Sequence, residues 1–357
     1  MIIENLKLQN YRNIGECFYE PDRGVNVIYG DNALGKTNLL ESIWMFTGFK
    51  SFRGTRDSGL IKFGESYARN EMNFVNVNRD MNEVLLIDGK RQALLNGVRV
   101  ENMAELVGSF CSVIFSPNHL SLVKGMPQER RKFLDSAICQ LRPGYAKILS
   151  DYSKILRQRN VVLKNRENGN LKTALEIYDL QLSEAARKIS NVRYEFTDEF
   201  FECATGIYKG ISSDKEDIKM RYVTALPKNF QDGGTYEEMY ALTHEEDIEA
   251  GYTKYGPHRD DIEIIIDKKS ARLYGSQGQQ RSAALSLKLA EAQMIEKITG
   301  EKPVILLDDV MSELDAGRQD YLLNRLGESQ VFITCCEPGT LLRMKCGKAV
   351  KITECFT

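Results

Sequence analysis

The 357-residue sequence has only three histidines and one tryptophan, and none of its eight cysteines falls at Cys-x-x-Cys spacing. A zinc centre needs clustered Cys and His ligands, so these shortages exclude that class. Scattered, reduced cysteines and a cytoplasmic location are the expectation. No run of about 18 apolar residues occurs, so no membrane-spanning helix and no membrane partner are expected. The opening "MIIENLKLQNYRN" places acidic and polar residues near the start, unlike a secretory signal. The net charge is −2, so a nucleic-acid partner cannot be argued from the total and has to come from local patches. Internal repeats, low-complexity linkers and long heptad runs are lacking as well.

What is present is ordinary globular composition, 42% hydrophobic and 27% charged, in a length that suggests two lobes. "LKLQNY" alternates like a strand, and "GVNVIYG" is a short apolar run ending in glycine. Residues 70–100 alternate around "NRDMN" and "DGKR", the pattern of antiparallel hairpins. From Glu129 to about Lys209 the chain is rich in Leu, Lys, Arg, Glu and Gln and reads as long helices. "DIEIIID", "KPVILLDDV", "SQVFIT" and "AVKI" read as later strands, the second of them a buried parallel one. The expected architecture is α/β. One lobe forms from residues 1–115 and 283–357, and residues 116–282 are inserted as a mostly helical second lobe.

Three stretches carry chemistry. "GDNALGKT" sets Gly30, Gly35, Lys36 and Thr37 in the pattern G-x-x-x-x-G-K-[ST] between an apolar strand and an apolar helix. Glycines let backbone N–H groups curl around phosphate oxygens, Lys36 neutralises the β and γ phosphates, and the Thr37 hydroxyl suits Mg²⁺. "VILLDDV" ends a buried strand with Asp308, placed for the Mg²⁺ shell, and Asp309, placed to orient an attacking water. The loop "YGSQGQQRS" precedes an apolar helix, and its Ser276, Gly278 and Gln279 suit an anion at a helix N-terminus. On the second lobe, such a loop could cap a nucleotide held by another copy. An ordinary helix N-cap is the competing reading.

Together with "LKLQNYRN", "KSFRG", "FSPNHLSLVKGMPQERRKFLD", "YGPHRDD" and "LLDDVMSELDAGR", these stretches run from residue 6 to residue 318. In that order they resemble the SMC-like class of ABC-type ATPase heads and, within it, the RecF family of bacterial recombination mediators. The resemblance implies a two-lobed head without a long coiled coil, ATP and Mg²⁺ as ligands, slow hydrolysis and an ATP-dependent homodimer. It also implies binding of double-stranded and gapped DNA, and action with RecO and RecR to load RecA in repair, replication and the SOS response. By position it implies Gly30, Asn32, Gly35, Lys36, Thr37 and Asn38 for the phosphate loop, with Lys36, Asp308 and Asp309 catalytic. It implies Ser276, Gln277, Gly278 and Gln279 for the signature, and Ser312 to Asp315 for the D-loop. Arg12 and Asn13 are placed near the nucleotide, and Arg53 is a further candidate.

The sequence departs from the wider class in several places. Gly275 and Gln277 stand where transporters carry Leu and Gly, Ser116 replaces a junction glutamine, and "ITCCE" has no histidine near Thr334. Asp309 is one methylene shorter than the usual glutamate. These departures suggest a slow timer rather than a fast motor. They also weigh against the alternative of a transporter's nucleotide-binding subunit, while a non-hydrolysing DNA scaffold stays open.

Charge is segregated along the chain. Residues 140–172 hold eight Lys or Arg against two acidic residues, whereas residues 231–250 hold seven acidic residues and no Lys or Arg. The basic stretch reads as a phosphate-contact face or as a solvated helix face, with Lys147, Lys154, Arg157 and Arg159 as candidate DNA contacts. "YGPHRDD" reads either as a coupling element or as a structural pair of His258 and Arg259.

Overall fold

The computed structural model describes residues 1–77, 79–165, 171–227, 230, 233–337 and 347–355. Its chain forms two compact units, the first from residues 1–120, 210–214 and 281–357, the second from residues 121–209 and 215–280.

Unit 1 contains two sheets. In one, β1 (Ile2–Tyr11), β2 (Ile14–Tyr19), β4 (Ala68–Asn76), β5 (Arg79–Ile87), β6 (Arg91–Leu95) and β7 (Val98–Val100) pair antiparallel in the order β2-β1-β4-β5-β6-β7. The hairpins expected around "NRDMN" and "DGKR" form, β4 with β5 and β5 with β6, although β5 already begins at Arg79 inside the first of these stretches and Asn82 pairs across to Asn73. Asn73 donates to Asn5 and Asn82 to Asn73, so side-chain amides tie three strands together where a turn seemed indicated.

The other sheet is formed by β3 (Val25–Tyr29), β8 (Ser112–Phe115), β12 (Val304–Asp308), β13 (Val331–Cys335) and β14 (Lys348–Lys351). It is parallel throughout, in the order β14-β3-β13-β12-β8. β8 and β12 are buried at every residue, as the unbroken apolar run of a two-sided parallel sheet requires. β3 leads into α1 (Lys36–Met45), whose Leu39, Leu40 and Ile43 enter a core shared with Leu6, Phe74, Leu306 and Phe332.

Unit 2 is built on α2 (Ser121–Lys124), α3 (Pro127–Leu141), α4 (Pro143–Lys164) and most of α5 (Leu171–Ser212). α5 is 42 residues long. It buries a stripe at three- and four-residue spacing, but Asp179, Ser183, Ser190, Arg193 and Thr197 interrupt the apolar positions. That interruption explains why no heptad run is legible in the sequence. The sequence reading also passed over β9 (Ile218–Val223), which pairs with β10 (Asp261–Ile266), itself paired with the short β11 (Lys269–Ser270). The shorter helices α6 (Tyr236–Leu242), α7 (His244–Ala250) and α8 (Ala271–Tyr274) complete the unit. α9 (Gln277–Thr299) begins here and continues from Arg281 in unit 1, where α10 (Ala316–Leu326) follows β12. Among the described residues, no helix is long and apolar enough to cross a membrane.

Candidate nucleotide site

The loop between β3 and α1 is shaped by backbone conformations that few side chains tolerate. Gly30 has φ +147° and Gly35 φ +106°. A Cβ on Gly35 would lie 2.8 Å from Asn13 Oδ1, so only glycine leaves the loop its curl. Gly35 O accepts from Leu39 N at 3.0 Å, which starts the helix directly behind the loop and aims its positive end at the loop.

Lys36 is 5% exposed and donates to the backbone oxygens of Gly30 (2.7 Å) and Asp31 (2.9 Å). Among the described residues both of its hydrogen-bond partners are backbone oxygens and no ion pair to a carboxylate is formed. Its charge is therefore held by neutral carbonyls and stays uncompensated. Asp308, at the end of β12, is 7% exposed; among the described residues no ion pair reaches it, and Arg53 acts on it only as a more distant positive charge. It accepts from Thr37 Oγ1 at 2.8 Å and from Thr334 Oγ1 at 3.0 Å. Burial raises its carboxyl above the ordinary range, and the two hydroxyl donors pull it back.

A buried cation and a buried anion thus stand in one unit, each without an ion-pair partner among the described residues. Thr37 and Asp308 offer two oxygen donors in contact, a set that suits a hard cation whose remaining ligands are water and phosphate. Thr334 Oγ1 also accepts from Asp309 N at 3.0 Å, and Asp309 has φ +52°. A left-handed non-glycine residue here turns the second aspartate toward the cleft that it lines.

That cleft has a volume of about 770 Å³. It brings together the expected Arg12, Asn13, Asn32, Gly35, Lys36, Thr37, Asn38, Arg53 and Asp309. Asn38 donates to Asn13 Oδ1 at 2.7 Å and accepts from Arg53 at 2.9 Å, so α1 fixes both. Asn32 accepts from the Cys336 thiol at 3.2 Å. Arg12 is committed elsewhere: its Nε and Nη2 donate to the two oxygens of Glu41, each at 2.8 Å, and Nη2 also to Thr55. Glu41 is fully buried. The sequence reading missed it, although a lone carboxylate in the apolar run "NLLESIWMF" is a signal that could have found it. The lining residues Gly59, Ile61, Lys62 and Phe63 were missed too.

Asp315 does not line the cleft. It caps α10 by accepting from Arg318 N at 3.0 Å, and that bond holds its carboxyl below the ordinary range. In unit 2, Ser276 and Gln279 satisfy each other as a capping box: Gln279 N donates to Ser276 Oγ (3.2 Å) and Ser276 N to Gln279 Oε1 (2.8 Å). Gln279 also donates to Glu216 at 3.0 Å, which anchors the loop. Ser276 and Gln277 are exposed.

Lys147, Lys154 and Arg157 are exposed on α4. Arg159 is a correction. It is 0% exposed, with Nε on Asp179 at 2.8 Å, and Nη1 on Asp247 at 2.6 Å and on Thr253 at 2.8 Å. A guanidinium neutralised by two buried carboxylates is a core group and cannot meet DNA. Arg166 of the basic stretch and Asp232 of the acidic one lie outside the described residues. In "YGPHRDD", His258 Nδ1 bonds the Tyr152 hydroxyl at 2.6 Å and Nε2 the Thr253 carbonyl at 3.1 Å. The second contact puts the proton on Nε2, so both ring nitrogens are used within unit 2; His258 pairs with Tyr152 and Thr253 rather than with Arg259, which lies over the Tyr252 ring.

Comparison with known proteins agrees with this geometry. A family profile described as "RecF/RecN/SMC N terminal domain" matches residues 2–355. The chain is 41% identical over 343 residues to the DNA replication and repair protein RecF of Bacillus velezensis, covering 94% of this chain and 93% of that one. It is 41% identical over 344 residues to the RecF of Ruminiclostridium cellulolyticum, covering 94% and 92%. Among solved structures, the recombination mediator protein RecF with ATP aligns with TM-score 0.87 at 36% identity, over 94% of this chain and 92% of that one. An Smc head bound to the C-terminal winged-helix domain of ScpA aligns at TM-score 0.54 and 19% identity, over 94% and 90%, which shows shared fold alone. With a P-loop cleft, an all-parallel sheet ending in Asp308, and relatives of this identity across nearly the whole length, the chain belongs to the RecF family of DNA replication and repair proteins, within the SMC-like ABC ATPases.

Proposed function

We propose that this chain is a slow Mg²⁺-dependent ATPase whose ATP-bound form pairs head to head with a second copy and clamps DNA. The observation that carries the reading is the pair of uncompensated buried charges, Lys36 and Asp308, in one P-loop unit. Lys36 and the N–H groups at the start of α1 bind the phosphates. Thr37 and Asp308 hold Mg²⁺, which, when bound, neutralises charge on the β and γ phosphates. Asp309 serves as the base that orients water. Its short side chain and its tether to Thr334, at the place where a switch histidine is lacking, favour slow turnover.

The exposed Ser276–Gln277 edge of unit 2 closes over the nucleotide of the second copy. DNA lies on a basic face that includes Lys147, Lys154 and Arg157. The "RecFOR pathway" named for the nucleotide-bound neighbours supports action with RecO and RecR; gapped duplex as the substrate and a part in the SOS response belong to the same reading.

Sedimentation velocity of the full chain with Mg²⁺ and either ATP or ADP tests the reading. A dimer with ATP alone, lost in Lys36→Met, is the expected result. A monomer at saturating ATP, or many ATP turned over per second by the chain without a partner, contradicts it.

A further inference from the structure

The thiols of Cys17 and Cys355 meet inside unit 1 as hydrogen-bond partners. Cys17 stands on β2 and is 3% exposed. Cys355 ends a 3-10 turn (Ile352–Cys355) directly behind β14 and is 2% exposed. Both belong to the apolar core of the unit. β14 runs parallel to β3, with Lys351 opposite Tyr29. The Lys348 ammonium donates to Glu20 O and lies 5.4 Å from the centre of the Tyr19 ring, which holds the segment against the end of β2.

The same turn backs the phosphate loop. Ile352 is fully buried, and a Cβ on Gly30 would lie 3.0 Å from its Cγ2. Residues 348–355 thus form a strap that supports the start of the loop with Ile352 and carries a thiol against β2 with Cys355. The two thiols are chemically unequal. The hydrogen bond from Cys17, and after it the Lys348 charge, lowers Cys355 below the ordinary thiol value against the effect of burial. That bond and burial raise Cys17. Burial pushes Cys111 and Cys139 up to about 12, as suits inert core thiols. A thiol favoured as thiolate, in contact with a second thiol, is what thiol–disulfide exchange requires. A four-residue 3-10 turn has poorer hydrogen-bond geometry than an α-helix, so its local opening is the route by which a small reagent reaches Cys355.

We propose that Cys17 and Cys355 form a reversible disulfide that clips the strap behind the phosphate loop to β2. The oxidant is a low-molecular-weight disulfide. The Cys355 thiolate attacks one of its sulfurs, which gives a mixed disulfide and a leaving thiolate that takes up the proton Cys355 gave up. Cys17 then attacks Cys355 Sγ in that mixed disulfide, and the second small thiolate leaves with the Cys17 proton. The two protein thiols lose two electrons and two protons, and one small disulfide becomes two small thiols. No step involves nucleotide, so the disulfide stands or falls apart from the ATPase reading.

The test incubates the full chain with oxidised glutathione, alkylates the remaining thiols and maps non-reduced digests by mass spectrometry. Hydrogen exchange is read on the same samples. The expected result is a linked Cys17–Cys355 peptide, with two of the eight thiols protected from alkylation and both recovered with dithiothreitol. Exchange at residues 28–36 and 348–355 slows by about tenfold or more in the oxidised chain. Cys355→Ala abolishes the link and the slowing, and the wild-type map decides the matter if that variant does not fold. Free Cys17 and Cys355 at an oxidant concentration that consumes the exposed Cys336, or links among other cysteines only, overturn the disulfide. A Cys17–Cys355 link with unchanged exchange at residues 28–36 overturns the clip on the loop.

Discussion

Lys36 in unit 1 and Arg159 in unit 2 are both buried cations, 5% and 0% exposed, and they are opposites in every other respect. Lys36 is held by two backbone carbonyls and has no anion beside it among the described residues. Arg159 meets two carboxylates and a threonine hydroxyl. An isolated buried charge is costly, so a fold that keeps one has left room for a counter-ion from outside. A buried charge with its own anions is closed, and its removal strands them. Whether a buried cation has its partner within the chain separates a binding group from a structural one.

The same substitution at both positions would break that contrast most directly. Lys36→Met is expected to lower ATP affinity by about a hundredfold or more, while unfolding free energy stays within about 1 kcal/mol of wild type. Arg159→Met is expected to cost about 3–5 kcal/mol of stability, because Asp179 and Asp247 lose their cation. Calorimetric titration and urea unfolding on the two variants measure both quantities. A large stability loss in Lys36→Met, or a stable Arg159→Met, removes the distinction.

A smaller effect sharpens the account of unit 2. Burial, reinforced by Arg259, Arg131 and Arg159, holds His258 down at about 4 from its ordinary 6.5, against the pull of the Thr253 carbonyl. The unfolded chain then binds the extra proton between those values. The stability contributed by neutral His258 is present above pH 6.5 and is lost as pH falls toward 4, up to about 3 kcal/mol. His258→Gln should flatten that part of the acid slope in urea unfolding at stepped pH. An unchanged slope assigns the acid sensitivity to other groups.

The smallest expected effect concerns the exposed face of α4. Replacing Lys147, Lys154 and Arg157 together by Ala should lower the salt slope of DNA binding by about 3, near one per phosphate contact. Stability should stay unaffected. A slope equal to wild type places DNA elsewhere.

The sequence made the phosphate loop legible because each requirement is local: glycines for the curl, a lysine, a hydroxyl, and the helix directly behind. The strand ending in Asp308 was legible for the same reason, since β12 is one unbroken apolar run. Arg159 was not, because it sits in a basic stretch while its anions lie 20 and 88 residues away. Glu41 was hidden likewise, meeting Arg12 across 29 residues. Phe63 gave no signal, since the cleft that it lines is formed only by the fold. The capping box at Ser276 and Gln279 satisfies the plain helix-start reading of "YGSQGQQRS". It leaves the exposed Ser276–Gln277 edge as the part that a second copy can use.

In the proposed function, the cleft of unit 1 gates DNA binding through that edge of unit 2 on another copy. Fluorescence anisotropy on duplex DNA, without nucleotide, with ADP and with ATP, tests it in wild type and in Ser276→Arg. Binding that appears with ATP alone and is lost in Ser276→Arg is expected. Binding that ignores both nucleotide and substitution would contradict it, and "YGSQGQQRS" would then be a helix start and nothing more.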